Sequence, residues 1–290
     1  MDQIELVRDF NRYYTRRLGV LGDHYLGLDR PWSESRLLFE IGEGADLRSL
    51  RSSLGLDSGF LSRLLRSLEG QGLVAVRPHP GDGRVRVASL TPAGMAARAE
   101  LDSRARESVG SLLGQLTPAQ RDRLVAAQEQ VRGLLRLASV SISDISDSSA
   151  LARWCLSRYA AELDARFASG YSESALLRPG ELAATGGEFL VASEEPSSAV
   201  GCGIWQVLSP GVAEIRHVWI DPDCRGFGLG RRLLSALEGR AGAQGYRTLR
   251  LGTNRALPEA EALYLSSGYH EIPPYSDAEY NQLNFEKVLP

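Results

Sequence analysis

The strongest constraint on this chain is the run Arg225-Gly226-Phe227-Gly228-Leu229-Gly230, set between a strand-like segment, Glu214 to Ile220, and an amphipathic helix pattern, Arg231 to Ala243. A strand that turns through glycines into a helix is a layout for holding an anion. Glycine lets the backbone approach a ligand with no Cβ in the way, and the first helical turn offers unpaired N–H groups carrying partial positive charge. The spacing narrows the choice of phosphate ligand. A dinucleotide fold requires G-x-G-x-x-G directly after the strand, and a Walker loop ends in Gly-Lys-Ser/Thr. Neither is present, and a diphosphate held by backbone amides fits the layout that remains.

The Arg-x-x-Gly-x-Gly pattern, with Val218-Trp219-Ile220-Asp221-Pro222 before it, resembles motif A of the GNAT acyl-CoA N-acyltransferases. Asn254, then Ala262-Leu263-Tyr264, then Gly268-Tyr269 follow in that family's order, so the resemblance spans roughly the last 150 residues. It implies an α/β GNAT fold that takes acetyl-CoA as acyl donor. By the same resemblance the cofactor site comprises Val218, Trp219, Ile220, Arg225, Gly226, Phe227, Gly228, Leu229, Gly230, Arg231 and Asn254. The loop amides would hold the pyrophosphate, and the splayed end of the preceding strand would pair with the pantetheine arm.

A chain of 290 residues, 43% hydrophobic and 24% charged, is long enough for two domains with separate cores and has no apolar run long enough to span a membrane. The start Met1-Asp2-Gln3-Ile4-Glu5 lacks the basic and apolar segments of a signal peptide, which predicts a cytoplasmic protein. Three cysteines, Cys155, Cys202 and Cys224, without C-x-x-C spacing argue against a disulfide framework or a zinc site. Cys224, beside the anion loop, is a candidate for a lowered pKa or simply a small packed residue. Charge separates the halves: residues 1–138 carry 20 Arg against 17 acidic groups (+3), and residues 139–290 carry 13 basic against 19 acidic (−6). The Ser- and Asp-rich stretch from Ala138 to Ser149 reads as a short linker running into a first edge strand, because Val140 and Ile142 alternate with serines. The expected domains are therefore 1–138 and 139–290.

The first half reads as helices and one hairpin. Apolar residues recur at helical spacing over Ile4 to Leu21, from near Ser33 to Ile41, and over Asp46 to Leu54. Gly55-Leu56-Asp57-Ser58 is a turn whose last residue suits an N-cap, before a helix predicted over Gly59 to Gly70. Phe60, Leu61, Leu64, Leu65 and Leu68 form the packing side of that helix. Ser58, Ser62, Arg63 and Arg66 remain on the other side, with hydroxyls and guanidinium forks suited to phosphates and guanine edges. Leu73 to Arg77 and Arg84 to Leu90 alternate as strands around Pro80-Gly81-Asp82-Gly83, making a hairpin with arginine near its tip.

Leu68-Glu69-x-x-Gly72-Leu73-Val74, Asp82-x-Arg84 and Leu90-Thr91-x-x-Gly94 resemble the MarR family of regulators across about 135 residues. The resemblance implies a mainly α winged helix-turn-helix that binds double-stranded DNA, with Arg84 entering the minor groove and Asp82 bracing the wing. Pro92 to Val109 and Thr117 to Leu137 read as long helices, the second with a capping box at Thr117-Pro118-x-Gln120. In MarR-like proteins such helices and the first helix dimerise, which would place two reading helices roughly 34 Å apart on a pseudo-palindromic operator.

Acyl transfer to an amine poses two proton problems. An alkylammonium with a pKa near ~10.4 is neutral in only about one part in a few thousand at pH 7, so a base or a desolvating pocket is needed. The departing thiolate also requires a proton. By resemblance Tyr264 is the candidate acid and Glu214 the candidate base, acting directly or through water. Simple alternation puts Glu214, Arg216 and Val218 on one strand face and Ile215, His217 and Trp219 on the other, so Glu214 and His217 share a face only if a bulge intervenes. Segments Tyr159 to Tyr171 and Ile272 to Asn281 occupy the family's substrate-facing positions and suit a small amine, an amino acid or a lysine tail. The expected function is a regulator and acetyl-CoA-dependent N-acetyltransferase in one chain, with no metal. The alternative is a regulator whose second domain only senses acyl-CoA or a metabolite.

Overall fold

A computed structural model describes every residue of the chain except 1, 23, 43, 80, 196 and 197. The chain divides into two compact units, Met1–Asp122 and Arg123–Pro290. The first contains α1 (Gln3–Leu18), α2 (Trp32–Ile41), β1 (Ala45–Asp46), α3 (Leu47–Leu54), α4 (Ser58–Gly70), β2 (Val74–His79), β3 (Asp82–Leu90) and α5 (Pro92–Gly114), and the division falls within α6 (Pro118–Ser139).

Capping chemistry sets most of these boundaries. Asp46 accepts from the amides of Arg48 and Ser49, Asp57 from Phe60, and Thr91 from Gly94. The cap of α4 is thus the Asp57 carboxylate, and Ser58 opens the helix instead of capping it. α1 stops at Leu18, short of the expected Leu21, because Gly19 takes a left-handed φ of 68° and ends the hydrogen-bond ladder. The hairpin strands reach closer to the tip than expected, with His79 paired to Asp82; Pro80 of the expected turn lies outside the described residues. The two-residue β1 was not foreseen; it pairs with β3 and completes a sheet ordered β1-β3-β2. Leu37, Leu38, Ile41, Leu61, Leu65 and Leu68 are buried together under this sheet. The Thr91 hydroxyl donates to the Gly72 carbonyl, and Gly94 packs so closely that a Cβ there would lie 1.9 Å from the Leu73 oxygen. α1 buries none of its residues, and its apolar Ile4, Val7, Phe10 and Leu18 are all exposed.

The second unit continues with β4 (Ser141–Ile145), α7 (Ala150–Arg166), α8 (Glu181–Thr185), β5 (Gly187–Glu195), β6 (Ser198–Ser209), β7 (Val212–Ile220), α9 (Leu229–Ala243), β8 (Thr248–Thr253), α10 (Pro258–Ser266), β9 (His270–Ile272) and β10 (Leu283–Val288). α6 runs to Ser139 and β4 starts at Ser141 with Val140 buried between them, so Ser141–Ile145 of the serine-rich stretch is the expected edge strand and no linker precedes it. The sheet order is β4-β5-β6-β7-β8-β10-β9, and every neighbouring pair is antiparallel except β7 and β8. One face packs on α9 and α10 through Leu233, Leu234, Leu237 and Tyr264; the other packs on α7 through Cys155, Leu156, Ile204 and Trp219.

Two irregularities in β7 open this sheet. β8 pairs with β7 only from Val212 to Ile215, which leaves Arg216 to Ile220 free on that side. On the other side Cys202 pairs with Trp219 and Ile204 with Arg216, so Gly203 alone opposes His217 and Val218, a β-bulge in which His217 has φ 50°. The extra residue reverses the alternation. Ile215 lies in the α9 core while Trp219 lies in the α7 core, which overturns the expectation that Ile215, His217 and Trp219 share one face.

Candidate functional site

Two adjoining clefts meet in the second unit. The first, of 320 Å³, runs along the free end of β7 to the start of α9 and is lined by Val218, Trp219, Ile220, Arg225, Gly226, Gly228, Leu229, Gly230 and Arg231, with Tyr264 at its inner end. Gly226 and Gly228 have φ of 84° and 92°, and a Cβ on either would meet nothing within 4 Å, so the loop presents bare backbone. Gly228 caps α9 without any side-chain hydrogen bond. Among the described residues, the N–H groups from Gly226 to Arg231 have no acceptor. A row of free amides at a helix start, with the exposed Arg231 beside it, is a donor set for a diphosphate, so the residues present fit a CoA moiety.

Three of the expected cofactor residues are placed otherwise. The Arg225 guanidinium turns back to the Ile220 carbonyl (Nε to O, 2.9 Å) and to Glu162, so it braces the loop. Glu162 also accepts from the Trp219 indole at 3.0 Å; burial pushes its carboxyl up, but Arg225, the indole and Arg166 together hold it below the usual range. The Phe227 ring leaves the cleft and seats on Gly133 of α6, where a Cβ would come within 2.2 Å of it. Asn254 lies in the second cleft, its amide donating to the Tyr280 carbonyl and accepting from Ala256, which makes it a brace for the loop before β10. Cys224 is buried, and desolvation pushes its thiol up, so it is a packed residue and not an activated one.

The second cleft, of 420 Å³, is lined by residues of α7, the segment after it, β7 and the loop between β9 and β10. Tyr264 belongs to both clefts. Its hydroxyl has no partner among the described residues, and burial pushes its pKa up to about 12. Glu214 is buried, its Oε1 accepting from the Tyr275 hydroxyl at 2.8 Å and its Oε2 from Gln206 at 2.9 Å. The bulge brings His217 into the same cleft as Glu214. The His217 ring packs edge-on to Tyr159 at 5.2 Å and its Nε2 accepts from the Leu177 amide; desolvation and the neighbouring Arg216 lower its pKa to about 3. It is therefore neutral and cannot serve as a base near pH 7. Glu162 and Glu259 line the first cleft; Glu162 falls within the expected Tyr159 to Tyr171 segment without being singled out, and Glu259 gave no signal, because helix-borne glutamates normally read as a solvated face.

In the first unit, Ser58, Ser62, Arg63 and Arg66 are exposed on α4, opposite the buried leucines. Ser62 Oγ donates to the Ser58 carbonyl, Arg66 Nε donates to the Ser62 carbonyl, and the Arg63 guanidinium lies 5.6 Å from the Phe60 ring. At the wing tip Asp82 Oδ1 accepts from the Arg84 amide at 3.0 Å, leaving the Arg84 side chain exposed.

A winged helix-turn-helix followed by an α/β sheet that splays beside a glycine-rich helix start is the architecture of a regulator-type domain joined to an acyltransferase-type domain. Residues 26–85 match the MarR family and residues 152–269 the acetyltransferase (GNAT) family, so the chain carries a MarR-family winged helix followed by a GNAT-family domain. Similar curated proteins include an IAA acetyltransferase of Azospirillum brasilense, 34% identical over 88 residues that make up 30% of this chain and 57% of that one. Another is an uncharacterized N-acetyltransferase of Schizosaccharomyces pombe, 32% identical over 90 residues, 31% of this chain and 55% of that one. The chain thus spans little more than half the length of the curated relatives it matches. Among solved structures, a GNAT-family acetyltransferase from Staphylococcus aureus aligns over 52% of this chain and 99% of its own at 18% identity and a TM-score of 0.44. A MarR variant from Escherichia coli in complex with operator DNA aligns over 45% of this chain and 99% of its own at 23% identity and a TM-score of 0.38. Among the described residues, no helix is long and apolar enough to cross a membrane.

Proposed function

We propose that this chain is a DNA-binding regulator and an acetyl-CoA-dependent N-acetyltransferase, and the observation that carries the enzymatic part is Tyr264 standing in the wall shared by the two clefts. Bound in the first cleft by the amides of Gly226 to Arg231, acetyl-CoA supplies an activated acyl thioester. Glu214 accepts the proton of an amine in the second cleft, directly or through water. The Tyr275 hydroxyl and the Gln206 amide hold the Glu214 carboxylate by two hydrogen bonds, which fix its direction. Tyr264 keeps its proton at any working pH. A phenol raised to about 12 is a poorer acid than a thiol near ~8.5, so Tyr264 Oη acts as a hydrogen-bond donor, giving up its proton only as another arrives from the amine.

The DNA-binding part rests on four exposed polar residues of α4 and the Asp82–Arg84 wing, and the exposed apolar side of α1 supports a homodimer on a pseudo-palindromic operator. A thiol-release assay with acetyl-CoA against amines, amino acids and lysine peptides tests the enzyme. CoA release above the hydrolysis background establishes transfer. Silence across the panel, with acetyl-CoA still bound by calorimetry, leaves a sensor in place of an enzyme.

A further inference from the structure

The acceptor cleft holds more chemistry than a bare amine requires. Its walls are four rings in mutual contact: Tyr171 and Tyr280 have centroids 4.7 Å apart, Phe167 stacks on Tyr280 at 5.8 Å, and Tyr159 meets Tyr171 edge-on at 5.9 Å. Beside these rings β7 presents Glu214 and Arg216, whose Oε2 and Nε lie 3.9 Å apart. The two are used very differently. Both oxygens of Glu214 are engaged by Tyr275 and Gln206. Arg216 makes a single hydrogen bond among the described residues, from Nη2 to the Ala175 carbonyl, and its side chain is 31% exposed.

Arg216 also lines an open groove formed with residues 174–176 and 178–181, so its side chain borders both the second cleft and the surface beside it. Its field reaches the surrounding groups: it opposes the upward shift that burial imposes on Tyr159, Tyr171 and Tyr275, and it adds to the lowering at His217. The other carboxylate of the cleft, Glu279, is exposed on the loop before β10.

A fixed cation about 4 Å from the candidate base is unfavourable for a substrate that arrives as an ammonium ion, because like charges at that distance repel. The repulsion is offset if the substrate brings its own anion. A guanidinium with free N–H groups in a planar fork suits a carboxylate in particular. The four rings supply flat apolar walls for a planar body.

We propose that the acceptor is an aromatic amino acid, with its carboxylate on Arg216, its amine between Glu214 and Tyr264, and its ring against Tyr159, Phe167, Tyr171 and Tyr280. The assignment rests on the transferase reading, and it names the substrate class that reading leaves open.

The test compares phenylalanine, phenethylamine and norleucine as acceptors in CoA release, and as ligands by calorimetry, for the full chain and for Arg216→Gln and Arg216→Lys, each first checked for acetyl-CoA binding. A charge-assisted hydrogen bond to a carboxylate predicts a preference for phenylalanine over phenethylamine of about ten- to a hundredfold in kcat/KM. That ratio should collapse toward one in Arg216→Gln and recover in part in Arg216→Lys. Phenethylamine used as well as phenylalanine, or a ratio unchanged in Arg216→Gln, overturns the proposal. Equal use of norleucine removes the aromatic part of it. If no amine releases CoA, the transferase reading fails. Calorimetry then decides the ligand: a phenylalanine preference that Arg216→Gln abolishes keeps the assignment, and no preference overturns it.

Discussion

His217 is buried, neutral and held by an acceptor bond at Nε2, so acid should act on this domain through it. Its pKa falls from an ordinary 6.5 to about 3 on folding, because desolvation and then Arg216 disfavour the imidazolium. Below pH 6.5 the unfolded chain binds a proton at this residue that the folded chain refuses. The stabilisation is complete above pH 6.5 and is lost progressively as pH falls toward 3. At about 1.36 kcal/mol per pH unit, and allowing for the rounded start of the titration, the step from pH 7 to pH 5 removes about 2 kcal/mol at this one site.

His217→Asn isolates the effect. Asparagine tolerates the left-handed φ of 50° and does not titrate, while its shorter side chain gives up the bond that Nε2 accepts from the Leu177 amide at every pH. Urea unfolding at pH 7 and pH 5, followed by tryptophan fluorescence, gives a pH-dependent loss for each protein. Three of the four tryptophans, Trp154, Trp205 and Trp219, lie in the second unit, and Trp32 of the first unit is common to both proteins, so the difference in signal reports the domain that holds His217. The variant should be less stable at pH 7, having lost the ring contact with Tyr159. Its loss between pH 7 and pH 5 should be smaller than that of the natural chain by about 2 kcal/mol. Every other titrating group is common to both proteins and cancels in the difference. Equal losses would refute the argument, because His217 would then be charging without penalty in the folded state.

Tyr264→Phe deletes the only polar atom of a side chain common to both clefts; kcat for CoA release should drop by about a hundredfold with the circular dichroism spectrum unchanged, and an undiminished kcat excludes Tyr264 as the donor. Gly94→Ala forces a Cβ against the Leu73 carbonyl at 1.9 Å, so the first unit should lose about 1–3 kcal/mol in denaturant unfolding; a neutral result means that α5 moves freely away from the hairpin. Arg84→Ala should weaken retention of operator fragments and reduce the salt dependence of binding by about one phosphate contact, whereas an unchanged salt slope takes the wing off the DNA.

Much of this fold was legible from periodicity and punctuation. Leu61, Leu64, Leu65 and Leu68 lie where their helical spacing put them, and Thr91-Pro92 opens α5 as its cap chemistry requires. The glycine run lines its cleft because positive φ and open backbone are properties of glycine itself. What escaped was whatever depends on partners distant in the chain. Phe227 turns away from the ligand side because Gly133, ninety-odd residues earlier, leaves a hole that fits its ring. Arg225 is drawn back by Glu162, which a single sequence cannot distinguish from any other helix glutamate. The bulge at His217 left no mark either, since no glycine or asparagine announces the left-handed residue.

That bulge is where the two clefts become one site. Without the extra residue β7 would keep a single alternation from Glu214 to Ile220, and Trp219 would point at the α9 core. With it, Trp219 turns to α7 and donates to Glu162, Glu162 holds Arg225, and Arg225 closes on the Ile220 carbonyl at the start of the glycine loop. The same residue puts His217 beside Glu214 and Arg216 in the acceptor cleft. A left-handed conformation at a non-glycine residue costs on the order of 1–2 kcal/mol. Here the Leu177 hydrogen bond and the Tyr159 contact, both made by the His217 ring, offset that strain. Glycine at this position would relieve the backbone but lose both ring contacts, so a strained histidine suits a strand that bends between the glycine loop and the second cleft.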